Sequence, residues 1–374
     1  MKATLAAAVC LSATLATGQD CSKTSVGLVP LNDLGAGEYL GEQGGLYPGG
    51  VNVRPMGHQI DGRQLSQQVT PRNGAGQPDP SGWIGLISIG MSNTSNEFQE
   101  FVPLVQQFPN RNPRLRVVNG AQGGRDAVDI ADRDSTYWQV ALDRVAAAGM
   151  TRHQVQAVWL KQAIANPGNR FPDDEFPEDA QRLEGLLADI ARNIRFYFPN
   201  ARLCYVSTRI YAGYATTQLN PEPYAYQSGF AGKWLIERQI GGDPTLSFVP
   251  QNGEPPAAPW LAWGPYPWAD GLTPRSDGLI WRCEDFANDG THPSVQGARK
   301  VAHMLLGHFS GDSTARRWFV ACPADFNDDG ALNSLDALMF FNAIGAGHPR
   351  ADFNADGSVT SQDVLAFLNA YTAG

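Results

Sequence analysis

The feature that most restricts the fold is an alternation of short apolar runs with longer amphipathic stretches from Trp83 onward. The apolar runs are predicted buried strands, at Trp83–Gly90, Leu115–Asn119, Val155–Leu160 and Leu203–Thr208. The predicted helices pass through Phe98, Phe101, Val102 and Val105 and then cover Tyr137–Ala148, Ala180–Phe198, Ser228–Ile240 and Val295–Phe309. Continuous apolar strands separated by helices predict an α/β fold with a parallel sheet covered on both faces. Ligands of such sheets bind beyond the carboxyl ends of the strands.

The negative charge of the chain is concentrated at its C-terminal end. The 374 residues carry a formal net charge of −9, and residues 322–374 contribute −6 of it, with seven Asp, one Arg and neither Glu nor Lys. This asymmetry predicts a separate acidic module at 322–374, after an α/β domain at 81–312. An acidic chain without a basic run is not expected to bind nucleic acid.

Two further segments precede the α/β domain. Residues 1–18 combine Lys2, an apolar run at Thr4–Leu15 and small residues after it, which indicates a signal peptide and a secreted protein. A short buried helix is the alternative. The run is too short to cross a bilayer and no later segment qualifies, so no membrane span is expected. Residues 19–80 are rich in Gly, Pro, Asn and Gln, and we expect an irregular segment packed on the next domain rather than a free linker.

Four cysteines follow the predicted signal peptide, namely Cys21, Cys204, Cys283 and Cys322. A secreted protein can form two disulfides from them, and the three possible pairings stay open. No CxxC motif or Cys/His cluster suggests zinc.

A twelve-residue pattern of oxygen-bearing side chains occurs twice in the C-terminal module. Positions 1, 3, 5, 9 and 12 carry Asp, Asn or Thr, position 6 is Gly, and position 7 offers a backbone carbonyl. This spacing supplies the oxygen ligands and the sharp turn that Ca²⁺ requires, so two calcium ions are expected. The expected ligands are Asp325, Asn327, Asp329, Ala331, Asn333 and Asp336 in the first loop and Asp352, Asn354, Asp356, Ser358, Thr360 and Asp363 in the second.

Position 12 of each loop is Asp rather than the usual Glu, and the helix that would precede each loop is missing. In these respects residues 322–374 resemble a dockerin domain, which consists of duplicated loop–helix units. The resemblance implies a small all-α domain, calcium binding and a cohesin-like protein partner, and dockerins often tether polysaccharide-degrading enzymes. A calcium-stabilised stub is the alternative.

Aromatic residues crowd the stretch between Ile210 and Asp277. They form either a second hydrophobic cluster or platforms that stack on sugar rings, and the sequence leaves both open. These residues are Tyr211, Tyr214, Tyr224, Tyr226, Trp234, Trp260, Trp263, Tyr266 and Trp268.

A serine and an Asp-x-x-His segment lie at the ends of predicted elements. Ser92 follows the first strand, and Asp289 and His292 come shortly before the last helix. That spacing can hold a carboxylate on imidazole Nδ1 and turn Nε2 toward a nucleophile, as general-base catalysis of acyl transfer requires. Without that chemistry, Ser92 is a helix cap and Asp289 a turn residue. No G-x-S-x-G nucleophile elbow is present.

On these residues the domain resembles an SGNH (GDSL-type) esterase. That family has a flavodoxin-like three-layer fold with Ser after the first strand, Gly after the second, Asn after the third and Asp-x-x-His before the last helix. The resemblance implies that Ser92 is the nucleophile and donates its backbone N–H to the oxyanion. It further implies that Gly124, which follows the second strand, is another oxyanion donor and that Asp289 and His292 complete the triad.

Two positions depart from the family pattern. Met91 replaces the Asp of the first block, and Lys161-Gln162-Ala163 stands where the family has Gly-x-Asn-Asp. Gln162 is the expected substitute for the missing amide donor, with Asn166 as a weaker candidate. Arg125 either binds substrate or forms a local ion pair with Asp126.

The sequence therefore predicts a secreted serine esterase that removes acyl groups such as acetyl from polysaccharides, without a cofactor for the ester chemistry. The alternatives are a non-catalytic carbohydrate-binding or adhesion protein on the same fold, and a lipase-type hydrolase.

Overall fold

The protein is described by a computed structural model that covers residues 18–354 and 356–373. The predicted signal peptide lies, apart from Gly18, outside the described residues.

The centre of the molecule is a five-stranded parallel sheet. A two-stranded hairpin, β1 (Glu38–Tyr39) and β2 (Glu42–Gln43), precedes it in the chain. The strands of the sheet are β3 (Ile84–Gly90), β4 (Leu115–Asn119), β5 (Val155–Lys161), β6 (Leu203–Ser207) and β7 (Trp260–Trp263). They lie in the order β4-β3-β5-β6-β7, and each neighbouring pair is parallel. Counted along the chain this is 2-1-3-4-5, the flavodoxin-like order, so the predicted fold class is confirmed.

Helices connect the strands and cover the sheet, and the last two helices belong to the C-terminal module. They are α1 (Leu31–Leu34), α2 (Met56–Gln67), α3 (Ser92–Gln107), α4 (Ala127–Ala131), α5 (Thr136–Ala147), α6 (Pro167–Arg170), α7 (Glu178–Tyr197), α8 (Tyr224–Ile240), α9 (Val295–Gly311), α10 (Arg316–Phe319), α11 (Ser334–Gly345) and α12 (Ser361–Ala373). In the α/β domain α3 packs against α9, and α7 packs against α8. All residues of β3 and β5 are buried, as expected for strands covered on both faces.

Helix α2 and strand β7 are the longest helix and the sheet strand that were not expected from the sequence. Helix α2 lies within the segment 19–80, and β7 lies within the aromatic stretch. The buried residues of α2 are polar or glycine rather than apolar, namely His58, Gly62, Arg63 and Ser66. The helix approaches β7 closely at Gly62, where a Cβ would lie 2.3 Å from the Trp260 ring. Leu31 and Tyr47 are buried in the same core as the sheet, so this N-terminal segment packs on the α/β domain.

Most of the tyrosines and tryptophans between Ile210 and Asp277 belong to the hydrophobic core. All of them except Tyr224 and Trp234 are buried. Tyr226, for example, lies edge-on to Trp268, with ring centroids 4.8 Å apart. The buried rings cannot stack on a sugar, so the hydrophobic-cluster interpretation is correct for them.

One disulfide joins the N-terminal segment to the end of the α/β domain. Cys21 and Cys283 are bonded, with Cα atoms 5.4 Å apart. Cys204 is buried in β6 and Cys322 is half-buried, and both are free. The described cysteines therefore form one of the two disulfides that the sequence permits.

The C-terminal module is helical and has a small core of its own. Helices α11 and α12 each follow one predicted calcium loop, and Phe340 and Phe367 stack between them with ring centroids 4.1 Å apart. The core of the α/β domain extends past the predicted boundary at 312, because Trp318 and Phe319 of α10 are buried in it.

A fully buried ion pair lies beneath the sheet edge that carries Ser92. Lys161 Nζ, at the end of β5, lies 2.6 and 2.7 Å from the two carboxylate oxygens of Glu97 on α3. Both side chains are 0% exposed. Removal of either side chain would leave the other charge buried without a partner, which is strongly destabilising.

We expect Lys161→Met to lower the free energy of unfolding by about 3–5 kcal/mol, since it leaves the Glu97 carboxylate buried and unpaired. The double variant Glu97→Leu/Lys161→Met should be less destabilised than Lys161→Met alone. Urea unfolding followed by tryptophan fluorescence measures both. A double variant that loses as much as the two single variants together would contradict this account.

Candidate active site

Ser92, His292 and Asp289 form a hydrogen-bonded chain at the carboxyl ends of the strands. Ser92 Oγ lies 2.7 Å from His292 Nε2, and His292 Nδ1 lies 2.5 Å from Asp289 Oδ2. The His292 and Asp289 side chains are 25% and 32% exposed, so solvent reaches the chain. A hydroxyl, an imidazole and a carboxylate in this order can transfer a proton from the hydroxyl to the ring.

Local constraints at the end of β3 place the serine. Gly90 has φ +158°, and a Cβ there would lie 2.1 Å from the carbonyl oxygen of Lys161 on the neighbouring strand. That same carbonyl accepts a hydrogen bond of 2.6 Å from Thr94 Oγ1, which ties the first turn of α3 to β5. Ser92, the first residue of α3, therefore projects from a rigid strand-to-helix turn.

The turn that carries Asp289 is organised by its own carboxylate. Asp289 Oδ1 accepts the backbone N–H groups of Thr291 and His292, both at 3.0 Å. Gly290 has φ +65°, and a Cβ there would lie 2.1 Å from the Tyr214 carbonyl. Burial raises the pKa of Asp289, but hydrogen bonds from the His292 ring and from these N–H groups outweigh it and hold the pKa below its usual value.

Two backbone N–H groups are free to bind an oxyanion. Within residues 18–354 and 356–373, those of Ser92 and Gly124 have no hydrogen-bond acceptor. Gly124 has φ +71° and open space around its Cα, and it lines the same cleft as Ser92. The two residues that the sequence proposed as backbone donors therefore meet at one cleft.

The structure does not bring the Gln162 amide to this cleft. Gln162 Nε2 donates to the backbone oxygen of Arg125 at 3.1 Å, and Oε1 accepts the N–H of Ala163 at 2.9 Å. The side chain is buried and bridges two loops, so the expectation that it binds the oxyanion is wrong. Asn166, the weaker sequence candidate, is exposed and lines the cleft.

The cleft has a volume of about 690 Å³ and a mixed lining. Arg125 lines it and donates a hydrogen bond to Thr136 Oγ1 at 3.1 Å. Asp126 pairs instead with Arg170, at 2.7 Å, so the alternative of an Arg125–Asp126 ion pair is not realised. Ile164 and Leu219 provide apolar surface. Such a cleft can accept an uncharged ester with polar groups around it.

Sequence reasoning missed two residues that contact the turn at residues 289–292, Asn93 and Arg209. Both donate hydrogen bonds to the carbonyl of Thr291. A signal was available, because Asn93 follows Ser92 directly and Arg209 follows the fourth strand of the sheet. Polar residues just beyond the carboxyl ends of parallel strands are candidates for a site.

The two C-terminal loops have the turn and the oxygen donors that a hard cation needs. Gly330 and Gly357, at position 6, have φ +83° and +95°, and their N–H groups donate to Asp325 and Asp352 at position 1. Burial, with the nearby Asp336 and Asp328 carboxylates, raises the pKa of Asp325, and a bound cation would relieve that repulsion.

Asp336 and Asp363, at position 12, accept backbone N–H groups of their own loops. Among the described residues no three His, Cys, Asp or Glu side chains gather as a metal cluster. An ion in either loop would therefore also need the amide, hydroxyl and backbone oxygens of the predicted ligand sets, which are present and suit Ca²⁺.

Comparisons with known proteins identify the C-terminal module. Residues 323–371 match the Dockerin type I domain family. Curated protein sequences give no match. No helix in the described part of the chain has the length and apolar character needed to cross a membrane.

Three of the solved structures with a similar fold are the following. One is a gut microbial diltiazem-metabolizing enzyme (17% identity, 60% of this chain and 46% of that chain, TM-score 0.36), of which this chain spans about half the length. Another is a catalytic mutant of Axe2, an acetylxylan esterase from Geobacillus stearothermophilus (15% identity, 63% of this chain and 96% of that chain, TM-score 0.34). The third is a putative GDSL-like lipase from Parabacteroides merdae (11% identity, 64% of this chain and 97% of that chain, TM-score 0.36).

Proposed function

We propose that the protein is a serine esterase of the SGNH type. The observation that carries the proposal is the chain of contacts from Ser92 Oγ through His292 to Asp289, which opens into a cleft beside two free backbone N–H groups. This arrangement supplies a nucleophile, a general base, an orienting acid and oxyanion donors, the parts that acyl transfer requires.

The mechanism follows from these positions. Ser92 Oγ attacks the ester carbonyl carbon while His292 Nε2 takes the hydroxyl proton, and the carbonyl oxygen becomes an oxyanion bound by the N–H groups of Ser92 and Gly124. Collapse of this intermediate breaks the ester C–O bond, and His292 gives its proton to the departing alkoxide. Water then attacks the carbonyl carbon of acyl-Ser92 while His292 Nε2 takes its proton. The bond from that carbon to Ser92 Oγ breaks, and His292 returns the proton to Oγ as the acid leaves.

We propose acetylated polysaccharide as the substrate and the extracellular space as the location. The dockerin match at 323–371 supports both, because the dockerin resemblance implies a module that tethers polysaccharide-degrading enzymes. The buried aromatic residues lend no support, so recognition of the glycan falls to the cleft, with Arg125 as a substrate-binding residue. The signal peptide at 1–18 remains a prediction.

The test of the proposed function is acetate release by the purified protein from p-nitrophenyl acetate and from acetylated xylan. Turnover of both supports a polysaccharide deacetylase. Hydrolysis of long-chain p-nitrophenyl esters in preference to acetate would instead favour a lipase-type hydrolase. Glycan binding without any hydrolysis would indicate the non-catalytic binding protein.

We further propose that the C-terminal module binds two calcium ions and a cohesin-like partner. The ligand sets named above would hold the ions, whose role is to order the loops that begin α11 and α12. Both helices expose apolar side chains, with Leu338 56% and Leu365 61% exposed. Exposed apolar residues on neighbouring elements are typical of a protein-binding surface.

Chelation by EGTA should unfold residues 322–374 and leave ester hydrolysis unchanged, because the calcium loops contain none of the residues around Ser92. Limited proteolysis with and without EGTA, with the hydrolysis rate measured in parallel, checks this. Asp336→Ala/Asp363→Ala should show the protease-sensitive pattern even with calcium. Simultaneous loss of the module and of hydrolysis would show that the two domains depend on each other.

A further inference from the structure

The peptide bond between Thr291 and His292 is held at both ends. Its carbonyl oxygen accepts hydrogen bonds from Asn93 Nδ2 and from Arg209 Nη2, both at 3.0 Å. Its N–H group donates to Asp289 Oδ1, also at 3.0 Å. Because a peptide group is planar, fixing its oxygen and its nitrogen fixes the plane from which His292 Cα and the imidazole project.

Asn93 connects this peptide to the nucleophile. Ser92 contacts His292, and the next residue, Asn93, contacts Thr291, which precedes His292. The start of α3 thus contacts the loop at residues 289–292 through two successive residues. A shift of this loop relative to α3 would therefore stretch the Asn93 hydrogen bond together with the contact from Ser92 Oγ to His292 Nε2.

Arg209 holds the same carbonyl from another strand. It follows β6, is 1% exposed, and has no carboxylate within 4.0 Å among residues 18–354 and 356–373. Burial lowers the pKa of Arg209 to about 10, so its guanidinium is still charged at neutral pH. A buried cation is costly, and a charged donor makes a stronger hydrogen bond than a neutral one. Its position beside the loop at residues 289–292 therefore points to a role there.

We propose that Asn93 and Arg209 are positioning residues that hold the Thr291–His292 peptide and so set the geometry between Ser92 Oγ and His292 Nε2. This inference rests on the proposed esterase function. It adds two residues, from α3 and from the end of β6, that line the same cleft as Ser92 and act on its geometry through His292.

Asn93→Leu removes the donor and keeps the volume of the side chain. We expect it to lower kcat by about 10- to 100-fold, as for a misplacement of about 1 Å, while KM changes by less than about twofold. The rate at which a fluorophosphonate labels Ser92 should fall by the same factor, since labelling needs the same base.

Arg209→Met should lower kcat and the labelling rate in the same direction. The double variant should lose less than the product of the two single losses, because both donors serve one carbonyl.

Asn193→Leu is the matched control. Asn193 is also buried, and its Nδ2 donates to the backbone oxygen of Ala131 at 2.9 Å, on the side of the domain formed by α4 and α7. We expect Asn193→Leu to lower the melting temperature with kcat unchanged. Equal losses of kcat in the Asn93 and Asn193 variants would reduce the effect to general destabilisation and overturn the positioning role.

The two proposals fail in different ways. If the wild type is labelled at Ser92 and Asn93→Leu is labelled at the same rate, the positioning role is overturned and the esterase function stands. If the wild type neither hydrolyses esters nor is labelled, the esterase function is overturned and the positioning role falls with it.

Discussion

Replacing Ser92 by alanine is expected to lower kcat for acetyl esters by about 10⁴-fold or more, to the level left by binding and by the oxyanion donors. The reason is that Ser92 Oγ is the hydroxyl bonded to His292 Nε2, and alanine removes the atom that would form the acyl intermediate. KM for the residual reaction should change little, because the cleft is intact. Initial rates with p-nitrophenyl acetate and acetate release from acetylated xylan measure the loss.

Ser95→Ala is the matched control for this experiment. Ser95 lies one turn further along the same helix and is also half-buried. Its Oγ accepts a hydrogen bond from Asn119 and makes no contact with His292. We expect wild-type rates from Ser95→Ala. Similar rates for wild type, Ser92→Ala and Ser95→Ala would mean that the hydrolysis does not pass through Ser92.

Asp289→Asn is expected to lower kcat by about 10³- to 10⁴-fold while the protein stays folded. Asp289 Oδ2 accepts the Nδ1 proton of His292, and this leaves Nε2 unprotonated and able to accept the Ser92 proton. An amide nitrogen in the place of Oδ2 would donate to Nδ1 and favour the other tautomer. Stopped or continuous ester assays give the loss, and circular dichroism checks the fold.

The lowered pKa of Asp289 sets the pH range in which its carboxylate is charged. The pKa of Asp289 lies below its usual value in the folded state, so its contribution to stability is present above the unfolded pKa near 3.8 and is lost as the pH falls through the folded value. Protonation of Asp289 therefore plays no part in activity between about pH 5 and 9. Asp174→Asn, which changes a surface ion pair with Arg182, is the control and should leave both kcat and its pH profile unchanged. A profile of Asp289→Asn identical to the wild type in both height and shape would contradict the assigned role.

Much of the sheet was predictable because most of its strands are buried on both faces and therefore form continuous apolar runs. The strand Leu115–Asn119 is predicted and observed with the same bounds, and Val155–Leu160 differs by one residue. Strand β7 and helix α2 were not predicted. They meet at a contact that only glycine permits, because a Cβ on Gly62 of α2 would lie 2.3 Å from the Trp260 ring of β7. Such a contact joins distant parts of the chain and leaves no local pattern.

The site shows the same division between local and distant contacts. The Asp289–His292 pair could be predicted because a spacing of three residues in one turn is a local property. The expected role of Gln162 as an oxyanion donor could not be tested against a local pattern. Its side chain instead donates to the Arg125 carbonyl, 37 residues away in the chain. The hydrogen bonds of Asn93 and Arg209 to Thr291 also join segments far apart in the chain.

The central claim is that Ser92 is a nucleophile activated by His292. Its most direct test is to treat the full-length protein with a fluorophosphonate and to locate the adduct by peptide mass spectrometry, beside Ser92→Ala and Ser95→Ala. We expect one adduct, on the peptide that contains Ser92, in the wild type and in Ser95→Ala, and none in Ser92→Ala. An unlabelled wild type, or an adduct on a different serine that persists in Ser92→Ala, would contradict the account.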